Sequence, residues 1–316
     1  MKLIAPDAND EKSELPFINT VTGGRLEIGE GLQSCTTRVQ TAECTIRGER
    51  VTLIDTPGFD DTHRSQSAIL KDIADFLEQT YEQNVKLSGI IYMYRISDNR
   101  AGGIARENFA LFTRICGRDA MSNVVIATTM WSGIPEDVGV RRERELSSET
   151  FYFKDATDQG ARFRRLYNTP ASAEEMMDIL VANSPRTLQL QGELVDEHRP
   201  LLRTSAGEEA SGQLRMQASR QLSGINHLQN EVRAANSDPT TIDRSEQARM
   251  QAQITAMQET LERIRGELEN LAKEPPRKRP RWMARVISRG RKKLDAIFVR
   301  KCREGAGCLS DGGLEL

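Results

Sequence analysis

The sequence is poor in aromatic residues and contains no long apolar run. Aromatic side chains make up 5% of its 316 residues, whereas charged side chains make up 28%. No apolar segment approaches the roughly 18 residues of a membrane-spanning helix, and residues 1–10 lack the apolar centre of a signal peptide. We therefore expect a chain that is partly a packed core and partly solvated helix or tail.

Cysteine is scarce and its spacing fits no metal site. The chain has five cysteines, an odd number, which argues against a disulfide scaffold and favours a reduced compartment. Cytoplasmic localisation is the resulting expectation, with a membrane-peripheral or nuclear location as an alternative. The cysteines are Cys35, Cys44, Cys116, Cys302 and Cys308.

The chain also lacks an overall excess of either charge, but its charges are unevenly distributed. The formal net charge is -2, yet residues 277–303 contain twelve Lys or Arg and a single acidic residue. A basic tail over 275–316, attached to an acidic body, indicates a polyanionic partner. Arg277–Arg303 fits an anionic membrane surface or an import receptor, and a solvated tail is the alternative. We expect no sequence-specific nucleic-acid binding.

Three short apolar runs predict the strands of a parallel sheet. They are Val51–Ile54, Gly89–Tyr94 and Val124–Ala127. Continuous apolar runs suit strands that are buried on both faces. Glu43–Ile46 precedes a turn at Gly48 and reads as a hairpin partner of the first run.

Helical patterns alternate with these runs. Apolar residues recur at three- and four-residue steps over 68–81 and 104–115, and the position of Gly117 predicts the end of the second helix. Ser172-x-x-Glu175 predicts a capping box for another helix. Strands that alternate with helices indicate a layered α/β domain, and we place it at residues 1–205.

The next region, 206–274, is predicted to be a helical hairpin or a short coiled coil. A loose stripe runs through Leu214, Leu222, Ile225 and Val232 before the break at Asp238-Pro239. A heptad seam then follows with 4-3 spacing, and its partner is either the first stripe or a second subunit. The seam residues are Met250, Ile254, Met257, Leu261, Ile264, Leu268 and Leu271.

The motif that carries chemistry is Asp55-Thr56-Pro57-Gly58, directly after the first apolar run. An Asp at the carboxyl end of a strand can hold Mg²⁺ through water, and the Gly lets its N–H approach a phosphate. A plain tight turn explains the same four residues, since Thr-Pro-Gly is good turn chemistry.

Several segments in order resemble the septin-like P-loop GTPases, including the immunity-associated nucleotide-binding proteins. Val51–Asp61 resembles their switch II, Phe17–Asn19 the helix after the phosphate loop, and Ser34–Thr37 their switch I. Leu87–Asp98 resembles the next strand, and Thr128–Trp131 stands at the guanine-recognition loop. The set is similar to uncharacterised fungal G-domain proteins of this group.

The resemblance implies a three-layer, P-loop NTPase-type sheet and a GTP-binding regulatory protein that uses Mg²⁺, with slow or partner-assisted hydrolysis. Thr36 and Asp55 would be the metal-side residues, with Thr37 as the alternative to Thr36. It also implies self-association, through the G domain or through the heptads at Met250–Leu271. The predicted nucleotide-binding residues are Thr36, Thr37, Asp55, Thr56, Pro57, Gly58, Thr128, Thr129, Met130, Trp131 and Asn168.

Three elements of the family pattern are missing. No Gly-x4-Gly-Lys-Ser/Thr precedes Phe17, where residues 7–16 contain four acidic residues and no glycine. No Gln follows Gly58, and the recognition loop lacks Asn-Lys-x-Asp. Losing the loop's Lys and N–H contacts would forfeit roughly 5 kcal/mol of phosphate binding. The sequence therefore leaves two alternatives open, a pseudo-GTPase interaction module and a scaffold that binds membrane or polyanions, and assigns no catalytic residue.

Overall fold

The computed structural model describes residues 15–23, 40–56, 59, 64–98, 103–237, 244–273 and 295–300. Its central feature is a mixed sheet of six strands in the order β1-β2-β6-β3-β4-β5. The β1–β2 pair is antiparallel and the other pairs are parallel. The strands are β1 (Gln40–Ile46), β2 (Glu49–Thr56), β3 (Leu87–Arg95), β4 (Val124–Thr129), β5 (Arg162–Arg165) and β6 (Asp295–Arg300).

The three apolar runs form the strands β2, β3 and β4, as predicted. The hairpin between β1 and β2 is also confirmed, and it turns through Arg47 and Gly48, which both have positive φ angles, 49° and 82°. Two such residues in succession match the right-handed twist of paired strands.

Nine α-helices are present among the described residues. They are α1 (Leu15–Thr22), α2 (Gln66–Tyr81), α3 (Gly103–Cys116), α4 (Glu136–Ser148), α5 (Lys154–Asp158), α6 (Pro170–Val181), α7 (Gln189–Gln191), α8 (Ser205–Ser237) and α9 (Arg244–Ala272). A π-helical turn over Gly192–Asp196 continues α7. In the described parts of the chain, no helix is both long and apolar enough to cross a membrane.

Both faces of the sheet are covered by helices, which explains the continuous apolar runs. Ile90 and Tyr92 of β3 belong to the apolar cluster shared with α2 and α3. Ile91 and Met93 point the other way, into the cluster shared with α1 and α6. The layered α/β arrangement predicted from the sequence is thus present.

The helical region packs against this α/β unit and not only against itself. Helices α8 and α9 pack along each other, and Leu214 and Ile264 belong to the same apolar cluster as α2 and α3. All seven residues of the Met250–Leu271 seam are buried or half-buried. The stripe predicted on α8 was partly wrong, because Leu222 is 52% exposed. The side chains of this part of α8 that are shielded from solvent are instead the buried Ile225 and the half-buried Ala218, Gln221, Leu228 and Val232.

Two local predictions need correction. The helix predicted to start with a capping box at Ser172 starts three residues earlier: Thr169 is the N-cap and accepts a hydrogen bond from the Ser172 N–H, with Pro170 in the first turn. Proline is favoured there because its fixed φ suits the first helical turn. Residues 295–300, which we assigned to the basic tail over 275–316, form strand β6.

Candidate nucleotide-binding site

The predicted site residues that the structure describes lie at one edge of the sheet. β2, β3 and β4 run in the same direction as β6, so their carboxyl ends meet along this edge. Asp55 and Thr56 end β2, and Thr128 and Thr129 end β4. Asp55 is 6% exposed, and Thr56 of β2 and Thr128 of β4 are fully buried. The predicted residues Thr36, Thr37, Pro57 and Gly58 lie outside the described residues.

The loop after β4 holds a defined conformation. Met130 is in the left-handed region, with φ 62° and ψ 35°, and a 3₁₀ turn follows over Trp131–Gly133. A left-handed non-glycine residue costs about 1 kcal/mol or more and persists only where the surroundings impose it. Such residues concentrate at functional sites.

A hydrogen-bond chain through Thr128 fixes the tryptophan of this loop. The indole N–H of Trp131 donates to both the carbonyl oxygen and Oγ1 of Thr128, each at 3.1 Å. The Thr128 hydroxyl in turn donates to the Arg164 carbonyl oxygen of β5 at 3.3 Å. The buried Thr128 therefore fixes the orientation of the Trp131 side chain through these hydrogen bonds.

The ring of Trp131 also packs against two other elements, strand β5 through Arg165 and helix α4 through Gly139. The Arg165 guanidinium lies 4.1 Å from the ring centroid, within the range of a cation–π contact. Arg165 Nε donates to both carboxylate oxygens of Glu143, at 2.9 and 3.0 Å. This hydrogen bonding raises the pKa of Arg165, so the guanidinium keeps its charge. Helix α4 meets the ring at Gly139, where an added Cβ would lie 2.7 Å from Cζ3 of Trp131.

These elements enclose a cavity of about 320 Å³ at the sheet edge. This volume is at the small end of the range for ligand pockets, about 300–1,000 Å³. Its lining combines apolar side chains with side chains that carry hydroxyl or amide groups. The lining residues are Phe17, Thr20, Thr129, Met130, Trp131, Ser132, Leu166, Tyr167, Asn168, Thr169 and Ala173.

The structure thus brings four of the predicted base-contacting residues, Thr129, Met130, Trp131 and Asn168, to one cavity. Thr128 does not line it and acts on Trp131 instead. Asn168 is exposed at the rim, with an amide that both donates and accepts. Among the described residues that line the cavity, none is acidic. Binding of a base at this cavity stays a prediction.

Sequence reasoning missed the residues that support the cavity. Arg165 and Glu143 are 22 positions apart and belong to no local motif. Phe17 was noted as part of a resemblance, and the structure places it and Thr20 of α1 in the cavity wall. Tyr167, which directly precedes the predicted Asn168, also lines the cavity, and its ring centroid lies 6.3 Å from that of Trp131.

Of the predicted metal-side pair, only Asp55 is described. Among the described residues no group of three or more His, Cys, Asp or Glu side chains could hold a metal ion. A single strand-end carboxylate does fit Mg²⁺ that is bound mainly by substrate phosphates and water, since Mg²⁺ keeps several such ligands. The residues present do not fit a metal held by protein alone.

Comparison with known proteins assigns no family. No protein-family model matches the sequence, and no curated protein matches it. Among solved structures, the model is similar to a GTPase domain of the chloroplast translocon components atToc33 and psToc159, with 12% identity and a TM-score of 0.42. It is also similar to a dimerization-deficient mutant of Toc33 from Arabidopsis thaliana, with 16% identity and a TM-score of 0.41. Each covers 55% of this chain and 81% of the other chain. These values are too low to support a functional argument.

Proposed function

We propose that this chain is a GTP-binding regulatory protein of the septin-like type. The nucleotide base would occupy the cavity at Trp131, and the phosphates would extend along the sheet edge toward Asp55. The observation that carries the proposal is the arrangement of these two features at the carboxyl ends of parallel strands, where ligands of open α/β sheets bind.

The spacing of the two features suits an extended ligand. The cavity lies at β4 and β5, and Asp55 lies at the end of β2, three strand positions from β4 in the sheet order. At about 4.8 Å per position this separation is roughly 14 Å. A nucleoside alone would leave Asp55 without a role, whereas a nucleoside triphosphate places charged oxygens along the edge.

Asp55 would hold Mg²⁺ together with Thr36, which lies outside the described residues. When bound, the ion neutralises charge on the phosphates during phosphoryl transfer. Asp55 is well suited to hold it, because the carboxylate is fixed at the end of a buried strand. The next residue, Thr56, is fully buried, so the end of β2 is packed against its surroundings.

Hydrolysis in this proposal is slow and depends on a partner. The residue after Gly58 would have to orient the attacking water in an efficient enzyme. Here it is Phe59, which is 5% exposed and belongs to the core cluster with Ile54 and Ile69. Its side chain is therefore committed to packing and has no group that binds water.

The second candidate is a pseudo-GTPase that keeps the fold without binding nucleotide tightly. The absence of Gly-x4-Gly-Lys-Ser/Thr from the sequence favours it. Roughly 5 kcal/mol of lost phosphate contacts corresponds to a several-thousand-fold weaker affinity. This candidate predicts nucleotide binding that is millimolar or absent.

A titration of the purified full chain with fluorescent GTP and Mg²⁺ separates the two. Saturable micromolar binding is expected for the GTP-binding protein, and no binding at near-millimolar nucleotide would eliminate it. Competition by unlabelled GTP and ATP then decides whether the cavity selects guanine.

The variant Asn168→Ala tests whether the base binds at this cavity. Asn168 is exposed at the rim, so its truncation should leave the fold intact and weaken binding by about 3–10-fold, the worth of one hydrogen bond. Glu174→Ala, at an exposed α6 position outside the cavity lining, is the matched control. Equal affinities for both variants would place the base elsewhere.

A further inference from the structure

Strand β6 comes from residues 295–300 but lies in the middle of the sheet. It pairs in parallel with β2, from Val51↔Asp295 to Thr56↔Arg300. On its other side it pairs in parallel with β3, from Leu87↔Ala296 to Tyr92↔Arg300. β2 and β3 are therefore joined through this carboxyl-terminal strand, and not to each other.

The slot that β6 fills is one that the fold cannot leave open. Residues 51–56 of β2 and residues 87–94 of β3 are buried along their whole length. Without a strand between them, two rows of backbone N–H and C=O groups would lose their partners inside the protein. Buried backbone groups are almost always paired, so the slot requires a strand.

The sequence of β6 suits a central strand. Its interior is Ala-Ile-Phe-Val, and Ile, Phe and Val are enriched in strands. The segment between α9 and β6 has 22 residues, from 273 to 294. At up to about 3.3 Å per residue, it is long enough to bring the chain back from the end of α9 to the sheet.

The position of β6 ties it to the candidate site. Its carboxyl end pairs with the end of β2, where Asp55 is opposite Val299 and Thr56 is opposite Arg300. Pairing with the backbone of β6 thus fixes the position of Asp55, the proposed metal-side residue.

We propose that the carboxyl-terminal strand completes the sheet in cis and positions Asp55, so that nucleotide binding depends on residues 295–300. The nucleotide half of this inference rests on the proposed function; the strand insertion does not. A sheet edge offered to a strand is a known mode of recognition, and the occupant here is a segment of the same chain.

A cysteine crosslink tests the insertion. The test uses the full chain carrying Cys44→Ser, which removes the thiol opposite Val51 on β1. In it, Val51→Cys with Asp295→Cys joins a register pair, and neighbouring strands about 4.8 Å apart fall within the range that a disulfide spans. Val51→Cys with Arg300→Cys is the control, since five residues of offset separate the pair by about 16 Å. Peptide mapping by mass spectrometry should find the first disulfide within one chain and not the second. Absence of the register-pair disulfide, or its formation only between two chains, overturns insertion in cis.

A proline substitution tests the dependence. Phe298→Pro removes a backbone donor from a strand paired on both sides, which central strands do not tolerate. Phe298→Ile, a β-branched apolar replacement, is the matched control. Amide exchange in β2 and β3 should accelerate at least tenfold in the proline variant and stay unchanged in the isoleucine variant. Unchanged exchange in both variants would contradict the inference.

Nucleotide affinity completes the test. If the unmodified chain binds fluorescent GTP, Phe298→Pro should weaken binding at least tenfold, and Phe298→Ile should leave it unchanged. If the unmodified chain binds none, the proposed function fails, while the crosslink and the exchange data still decide the strand insertion. Tight binding by the proline variant would overturn the link between β6 and Asp55.

Discussion

At the scale of single residues, Gly139 sets how closely α4 approaches the ring of Trp131. A Cβ at this position would lie 2.7 Å from Trp131 Cζ3 and 3.1 Å from Ile134 Cδ1. The ring cannot move away freely, because its N–H is bonded to Thr128 and Arg165 lies over it. We expect Gly139→Ala to destabilise the protein by about 1–3 kcal/mol through overpacking, measured as a lower melting temperature.

The matched control for this prediction is Gly266→Ala on α9. A Cβ there meets nothing within 4 Å, so the exchange should stabilise the helix by about 0.5–1 kcal/mol. If Gly139→Ala lowers stability and Gly266→Ala raises it, the loss at position 139 is due to the contact with Trp131 and not to a general effect of alanine in a helix. A Gly139→Ala protein as stable as the original would show that Trp131 and Ile134 can shift at little cost to make room for the added methyl group.

Asp75 gives the molecule a pH dependence of stability. It lines a cavity of about 180 Å³ between α2 and the end of α9. Burial raises its pKa to about 6, reinforced by Asp72 and Glu78 and opposed by Lys71. The folded state therefore holds the proton more tightly than the unfolded state. The contribution of Asp75 is most favourable below about pH 4 and is lost as the pH rises through 6.

Asp75→Asn should accordingly stabilise the protein at pH 7.5 and make no difference near pH 4. We expect a gain of about 1 kcal/mol at pH 7.5, reduced from the full value because the carboxylate is partly solvated. Asp137→Asn is the control, since Asp137 is exposed, pairs with Arg141 at 3.8 Å and does not act on Asp75, so its loss should not stabilise. Urea unfolding of the three proteins at both pH values measures the difference. A gain that persists at pH 4 would mean that charge burial is not its source.

At the scale of elements, Glu193 holds the start of α8 against the rest of the molecule. Its carboxylate is 4% exposed and accepts hydrogen bonds from the Ser205 N–H at 2.9 Å and from the Ser205 hydroxyl at 2.6 Å. It also accepts from Gln189 at 2.9 Å. Negative charge at a helix N-terminus is favourable, and the partners satisfy a carboxylate that would otherwise be costly to bury.

Glu193→Ala should cost about 2–4 kcal/mol, because the half-buried Ser205 at the start of α8 loses two hydrogen bonds to a charged acceptor. Amide exchange should rise first in the opening turns of α8. Glu197→Ala is the control: Glu197 pairs with Arg199 at the surface, and its loss should change stability by less than about 1 kcal/mol. Equal effects of the two substitutions would show that Glu193 is not the anchor.

The same scale shows what the sequence could predict. The strands β2, β3 and β4 were predictable because each apolar run is packed on both faces, and the β1–β2 turn because Gly48 takes a positive φ. Strand β6 was not predictable, since its short apolar run lies among basic residues and becomes a strand only through β2 and β3. The site divides in the same way: Thr129 to Trp131 follow a recognisable strand end, whereas the Arg165–Glu143 pair depends on tertiary folding.

At the scale of the whole molecule, the α8–α9 helices and the α/β unit share one core. Ile264 of α9 is 1% exposed and belongs to the same cluster as Ile73 and Phe112. Polar contacts join the two parts as well: Gln213 donates to the Glu107 carbonyl oxygen at 2.9 Å, and Lys71 donates to the Lys273 carbonyl oxygen at 2.8 Å. We therefore expect residues 206–274 to unfold together with the sheet, although the sequence pattern sets them apart as a separate domain.

Ile264→Ala tests this expectation. Truncating a fully buried isoleucine should cost about 2–5 kcal/mol and shift one common transition. Leu222→Ala, at a position that is 52% exposed, should stay within about 0.5 kcal/mol. Urea unfolding followed by far-UV circular dichroism reports mainly the long helices, and reactivity of the buried Cys116 thiol at the end of α3 reports the α/β unit. Coincident transitions for both probes indicate one cooperative unit. A helix transition that precedes exposure of Cys116 would instead make the helical region an independent domain.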